Sequence, residues 1–346
     1  MGNTLERIAV LGSGSWGATL AALLAEKGHA VSLWEYDAAA AQALASTRKL
    51  PVLPELTLPK SIQVTSRMAD AIGDRGVVVS ATPSQFVRST MKAAQSSGSV
   101  SRDAAVISVS KGLEEKTLKR MSEVIREELH LPASRVAVLS GPSHAEEVCR
   151  HLPAALVAAS EDVGLCARVQ SIFTQDYFRV YAHPDMIGVE LGGTLKNIFA
   201  IACGISDGLG LGDNSKAAIM TRGLNEMARL GAKMGAQLLT FFGLAGMGDL
   251  IVTCLSRHSR NRLLGEKLGQ GKSPAQALAE MTMVTEGYKT VPSAFGLAQR
   301  FQLDCPLIQE IYQVLYKDKN PRASLRDLME RQTPSEWRDV SEGVQP

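Results

Sequence analysis

The chain has 346 residues, 45% of them hydrophobic and 21% charged, with a formal net charge of +2. That length suggests about two domains, and so small a net charge implies no broad polyanion-binding field. No basic run with interleaved aromatics marks a nucleic-acid surface. The five cysteines, Cys149, Cys166, Cys203, Cys254 and Cys305, are scattered and form no Cys-x-x-Cys pair. A disulfide scaffold or zinc site is therefore not expected, and a reducing cytoplasm is. With six histidines and no H-E-x-x-H motif, no metal site is expected.

The chain runs from MGNTLER straight into a strand-like segment, without the pattern of a secretory signal. Gly2 starts no myristoylation signal, because Leu5 and Glu6 stand where Ser or Thr is needed. Continuously apolar runs at 7–12, 30–35, 61–66, 76–82, 104–110 and 135–141 predict buried parallel strands, and 154–160 and 177–183 extend the set. Helical patterns such as 16–29 and 113–130 lie between most of them. This alternation predicts a doubly wound α/β sheet. The segment 50–59 holds three prolines and is expected to be a loop.

GSGSWG at 12–17 joins the first strand to the first helix and fits G-x-G-x-x-G in the required context. Gly12 permits the tight turn, Gly14 lets a pyrophosphate approach the backbone, and Gly17 allows close helix–strand packing. The amides of Ser15 and Trp16 at the helix N-terminus then offer donors to phosphate. Glu35, at the end of the second strand, is placed to accept hydrogen bonds from ribose hydroxyls, with Tyr36 beside it. A dinucleotide, NAD or NADP, is the expected cofactor. Glu35 and Asp37 favour NADH, because a carboxylate repels a 2′-phosphate.

After about residue 187 helical periods take over, as in 214–235. The expected division is a Rossmann-type domain over 1–187 followed by an all-α domain over 188–346. The run 187–205 is as long as a membrane span, but Glu190, Lys196 and Asn197 argue against one. Lys196 is a charged amine in an apolar helix, with Gly192 and Gly193 on its face. Those glycines are expected to leave open space beside the amine. Taken alone, the segment is equally consistent with a lysine that snorkels to the surface. The tail 333–346 is polar and expected to be frayed.

Further segments combine Gly, Lys and polar residues at strand ends: ATPSQFVR (81–88), VSKGLE (109–114) and SGPSHAEEV (140–148). The helical half adds ELGGTLKNIFAIACGISDGLGLGDNSKAAIMTRGLNEMARLG (190–231), FFGLAGMGDLIVTCLSRHSRNRLLG (241–265) and VTEGYKT (284–290). From about residue 7 to 315 the chain closely resembles bacterial-type NAD(P)-dependent glycerol-3-phosphate dehydrogenase. One departure is Val52, where the family often carries an aromatic.

The resemblance implies interconversion of dihydroxyacetone phosphate and sn-glycerol 3-phosphate, for phospholipid synthesis, by a cytoplasmic homodimer. It implies Lys196 as general acid/base, its pKa lowered by partial burial and a neighbouring cation, and Lys111 as a second lysine near substrate and cofactor. Gly141, Ser143, Asn197, Asp249, Thr253, Ser259, Arg260 and Asn261 are implied as substrate contacts. Ala145, Arg260, Val284 and Glu286 join the glycine loop in contacting the cofactor. Two other readings remain: a different dehydrogenase with a helical second domain and a helix lysine, or a nucleotide-sensing protein that has lost catalysis. The SRNR cluster and the GPSHAEEV loop favour the glycerol phosphate enzyme over the first. Retention of both Lys196 and Arg260 argues against the second.

Overall fold

The computed structural model describes residues 5–281 and 283–332. Contacts divide the chain into two units, Met1–Glu190 and Leu191–Pro346. The expected frayed tail lies outside the described residues.

Among the described residues the first unit holds ten strands: β1 Arg7–Leu11, β2 Ala30–Trp34, β3 Lys49–Leu50, β4 Leu53–Thr57, β5 Gln63–Thr65, β6 Val77–Ser80, β7 Ala105–Ser108, β8 Val136–Ser140, β9 Ala154–Ala159 and β10 Phe178–His183. Eight of them form one sheet in the order β10-β9-β8-β7-β6-β1-β2-β5. All its pairings are parallel except β8–β9. The sheet is therefore mixed at one side, because β9 follows β8 through a short connection that reverses the chain. Alternation along the strands feeds two apolar clusters. In β1, Ile8 and Val10 enter one cluster, with helices Ser15–Glu26 and Val163–Phe173, while Ala9 and Leu11 enter the other, with Val87–Ser96 and Met121–Leu129. Both faces of the sheet are thus covered by helices, as continuous apolar strands require.

Two local expectations are corrected. Residues 50–59 are not simply loop, since β3 and β4 pair antiparallel as a small ribbon, with Leu50, Leu53, Leu56 and Leu58 buried. Those leucines anchor the segment despite its prolines. In 113–130 only Met121–Leu129 is helical. The first part is a loop closed by a bridge between Leu113 and Arg120, and Glu114 leaves the helical pattern to bind Arg88 through two hydrogen bonds of 2.6 and 2.9 Å.

The helix Met186–Leu209 begins in the first unit and continues into the second. Glu190, 3% exposed, accepts from the Ser122 amide at 2.8 Å, the Ser122 hydroxyl at 2.6 Å and the Arg120 guanidinium at 3.0 Å. A buried carboxylate with three donors is satisfied. This helix is long and apolar enough to cross a membrane, but 94% of its most apolar window is buried inside the protein, which makes it a core helix.

The second unit is helical. Close approaches replace side chains at several glycines. A Cβ on Gly204 would lie 1.9 Å from the Arg262 carbonyl, and one on Gly265 would lie 2.0 Å from the Ile201 carbonyl. Helices Met186–Leu209 and Arg260–Gly269 therefore cross backbone to backbone. Elsewhere, Glu226 of helix Gly212–Lys233 accepts from the amides of Leu307 and Ile308, at 2.8 and 3.1 Å, at the start of helix Pro306–Tyr316. Burial pushes its pKa up to about 7 against a usual value of 4.5, overriding the amides and Arg229, which favour the charged form.

An acid whose pKa is raised on folding binds a proton in the folded state that the unfolded state has released. Stability therefore falls as pH rises from 4.5 to about 7, by about 3 kcal/mol for a shift of this size. Glu226→Gln removes the titration. Melting temperatures of wild type and Glu226→Gln measured at pH 5 and pH 7.5 should show the steeper fall in wild type; parallel slopes would show that Glu226 does not titrate on unfolding.

Candidate active site

In the first unit the glycine loop has the geometry of a phosphate cradle. Gly12 has φ +112°, and a Cβ there would lie 2.9 Å from the Ala81 backbone, so the loop packs directly on the ATPSQ segment. A Cβ on Gly17 would lie 2.0 Å from the Gly12 carbonyl, whereas Gly14 faces open space. Helix Ser15–Glu26 starts without a side-chain cap and without an acid in its first turn. The Ser15 hydroxyl is buried without a hydrogen-bond partner among the described residues. Unused amides, a positive helix end, an orphaned hydroxyl and an open glycine fit a bound pyrophosphate. The Trp16 indole packs into the core against Phe178, at 6.3 Å between ring centroids.

At the end of β2, Glu35 is half-buried and held at both oxygens. Oε1 accepts from the Asp37 amide at 2.9 Å, and Oε2 accepts from the Ser13 hydroxyl. Tyr36 is 84% exposed, with its ring edge-on to Trp34. Further along the same sheet edge, Gly141 has φ +142°, and a Cβ there would lie 3.0 Å from the Leu156 Cα. Its carbonyl accepts from the Lys111 ammonium at 3.1 Å and from the Ser143 hydroxyl at 2.9 Å. Ala145 follows as the first residue of a short helix and is buried. The structure thus brings Lys111, Gly141, Ser143 and Ala145 together.

In the second unit the central feature is an ion pair. Lys196, 6% exposed, donates to the carboxylate of Asp249, 1% exposed, and to the hydroxyl of Thr253 at 2.6 Å. Asp249 and Thr253 stand one turn apart on helix Asp249–Leu255, and the Thr253 hydroxyl donates back to the Asp249 carbonyl at 2.6 Å. The hydroxyl therefore has its proton committed and its lone pair aimed at the ammonium. The lysine is buried and does not snorkel. Its ion-pair partner in this unit is a carboxylate, Asp249. Nor does Gly192 leave a gap: a Cβ there would lie 2.5 Å from the Ala245 carbonyl. The glycine admits the backbone of Leu244–Gly248, the turn that leads into Asp249. Its omission of a side chain brings the carboxylate's helix close to the lysine's helix.

Beside this pair, Asn261 donates to the Asn197 side-chain oxygen at 2.9 Å and accepts from the Gly287 amide at 2.9 Å. Ser259 caps helix Arg260–Gly269 by accepting from the Arg262 amide at 3.2 Å. Arg260 is exposed and donates to the Val284 carbonyl at 3.0 Å, which draws the segment carrying Val284 and Glu286 to the arginine. The second arginine of SRNR, Arg262, is tied to Asp207 and is structural. Sequence reading missed Ser13, which is a variable position of G-x-G-x-x-G. Only its short polar side chain opposite an acid at the next strand end hinted at a role.

Residues 7–166 match the family of the NAD-dependent glycerol-3-phosphate dehydrogenase N-terminus, and residues 185–326 match the corresponding C-terminus. The chain is 46% identical over 333 residues to glycerol-3-phosphate dehydrogenase [NAD(P)+] of Citrifermentans bemidjiense, covering 96% of this chain and 99% of that one. It is 44% identical over 328 residues to the enzyme of the same name from Fusobacterium nucleatum, covering 94% and 97%. Among solved structures, glycerol-3-phosphate dehydrogenase from Coxiella burnetii superposes with a TM-score of 0.88 at 35% identity, covering 94% of this chain and 99% of that one.

The Asn261 cluster generates a stability test. Asn261→Ala leaves the Gly287 amide without its acceptor and Asn197 without its donor, at a cost of about 1–3 kcal/mol for each stranded buried group. Chemical denaturation should show a loss in that range; an unchanged midpoint would mean that the cluster does not hold helix Glu286–Arg300 in place. Matching over both its parts, and along nearly its whole length, the chain belongs to the NAD-dependent glycerol-3-phosphate dehydrogenase family, oxidoreductases that act on a CH–OH donor with NAD(P).

Proposed function

We propose that Lys196 is the proton-transfer group in the reversible conversion of dihydroxyacetone phosphate to sn-glycerol 3-phosphate, the reaction of this NAD(P)-dependent dehydrogenase. A bound nicotinamide supplies the hydride at the substrate's ketone carbon and takes it back in the reverse direction. The oxygen on that carbon then needs a proton. The observation that carries the reading is the buried ion pair, since Lys196 is the charged donor held by Asp249 and Thr253. In ketone reduction the ammonium donates to the developing alkoxide. In alcohol oxidation the neutral amine takes the hydroxyl proton, and Asp249 stabilises the resulting ammonium.

The family resemblance supports a division of labour among the site residues. The glycine loop Gly12–Gly17, Glu35 and Tyr36 serve the dinucleotide, with Ala145, Val284 and Glu286 completing that set. Arg260, at the first turn of its helix, offers a planar fork for the substrate phosphate, with Ser259 and Asn261 beside it and Asn197 behind Asn261. Lys111, Gly141 and Ser143 contribute further substrate contacts. The first unit is accordingly a dinucleotide-binding domain and the second a substrate domain, 1–187 and 188–346 in the sequence reading. The preferred cofactor is NADH, because Glu35 and Asp37 put negative charge where a 2′-phosphate would lie. The usual role of such an enzyme is supply of glycerol 3-phosphate for phospholipid synthesis. A homodimer in the cytoplasm is the expected setting, supported by the family resemblance and by the five free cysteines.

Lys196→Ala should lower kcat by about 10²–10⁴-fold, the usual worth of a general acid, while cofactor affinity measured by fluorescence stays near wild type. A variant keeping a tenth of wild-type kcat would remove Lys196 from the chemistry. Arg260→Ala should raise KM for dihydroxyacetone phosphate by about tenfold to a hundredfold, as expected for a lost charged hydrogen bond, and leave an unphosphorylated ketone little affected. Equal losses for both ketones would show that Arg260 does not bind phosphate. Glu35→Ser should shift the ratio of kcat/KM for NADH over NADPH toward NADPH; an unchanged ratio would place the discrimination elsewhere.

A further inference from the structure

We propose that Ser13 sets cofactor selectivity by positioning Glu35; this rests on the reading of Glu35 as the group that favours NADH. A glutamate at a strand end has three rotatable bonds and half-exposed surroundings. Left alone, it turns toward water and lets a 2′-phosphate pass. Here each carboxylate oxygen is held by a donor from a different element. The Ser13 hydroxyl, in the loop after β1, donates to Oε2, and the Asp37 amide, in the turn after β2, donates to Oε1. The backbone under the carboxylate is also fixed, because the Glu35 amide donates to the Thr65 carbonyl at 3.0 Å and the Gly12 amide donates to the Trp34 carbonyl at 3.0 Å. The second of these bonds joins the glycine loop to the end of β2, one residue from Ser13 and one from Glu35.

The consequence is a carboxylate that spans from the second strand to the phosphate loop itself. Each oxygen has further lone pairs, so the clamp leaves acceptors for the two ribose hydroxyls. Its negative charge cannot move aside at small cost when a 2′-phosphate arrives. Ser13 touches no reacting atom on this account; its effect passes wholly through Glu35. Asp37 adds its charge next to the clamp but uses its own side chain on the Ala40 amide at 2.7 Å, as the cap of helix Ala38–Thr47. Asp37 therefore cannot replace Glu35 when the clamp is cut.

The test is kcat/KM for NADH and NADPH with dihydroxyacetone phosphate in wild type, Ser13→Ala, Ser13→Thr, Glu35→Ser and the double variant Ser13→Ala/Glu35→Ser. Loss of one partly exposed hydrogen bond to a charged group should reduce the NADH preference by roughly three- to tenfold in Ser13→Ala. The change should fall on KM and on the fluorescence-measured Kd of the cofactors, with kcat held. Ser13→Thr keeps the hydroxyl and should keep the ratio. In the Glu35→Ser background, Ser13→Ala should leave the ratio of NADH to NADPH kcat/KM unchanged. The proposal is overturned if Ser13→Ala weakens both cofactors equally, or if it shifts the ratio as much without Glu35 as with it; either result makes Ser13 a loop-shaping residue. A wild type that favours NADPH, with a ratio unmoved by Glu35→Ser, overturns the underlying reading of Glu35, and the clamp with it.

Discussion

A buried charge must be answered by another charge, and in this protein the requirement falls on Lys196 and Asp249. Removing two ions from water costs several kcal/mol each unless geometry and added hydrogen bonds compensate. Compensation here comes from Thr253, whose hydroxyl is polarised by the Asp249 carbonyl and accepts from the ammonium. The pair also needs its helices close together. Gly192 provides that by letting the Ala245 backbone approach where a Cβ would collide. A wide π-type turn, Leu244–Gly248, closed by the Gly248 amide on the Gly243 carbonyl at 3.1 Å, then delivers Asp249 as the first residue of its helix. Function and packing are therefore one constraint in this region. A side chain at residue 192 would push away the carboxylate before it disturbed any ligand.

The same economy holds in the sheet unit. Gly12, Gly17 and Gly141 are each occupied on the side where a Cβ would stand by backbone of a neighbouring segment. Gly14 alone of the loop glycines faces open space. The contrast separates glycines that build the loop from the one that leaves room for a ligand. Lys111 and Ser143 both converge on the Gly141 carbonyl, so the backbone oxygen of a glycine at positive φ organises the polar groups of that sheet edge.

Much of this was legible in the sequence, and the reasons are specific. The central strands are rich in Val, Ile, Leu and Ala, and each predicted run contains an observed strand. The glycine loop was recognisable because its spacing reflects turn geometry. Lys196 stood out because an amine within an apolar helix requires an explanation. What escaped was decided by long-range contacts. Nothing local in 113–120 shows that Glu114 leaves a helical pattern to meet Arg88. The open space expected beside Gly192 is filled by a segment more than fifty residues away. The prolines of 50–59 concealed a ribbon held by four buried leucines. Ser13 could not be singled out until the first and second strands were placed side by side.

The central claim is that the Lys196 amine itself moves the proton. Chemical rescue tests it most directly. Lys196→Ala is assayed with excess dihydroxyacetone phosphate and reduced cofactor while small alkylamines of graded basicity are added. The account predicts that the amines restore turnover in proportion to the concentration of their protonated form, with rescue rates that rise with the acidity of the alkylammonium. If the variant binds cofactor and substrate as wild type does, yet amines of every size and basicity leave its rate unchanged, then the Lys196 amine does not move the proton, which travels by another route.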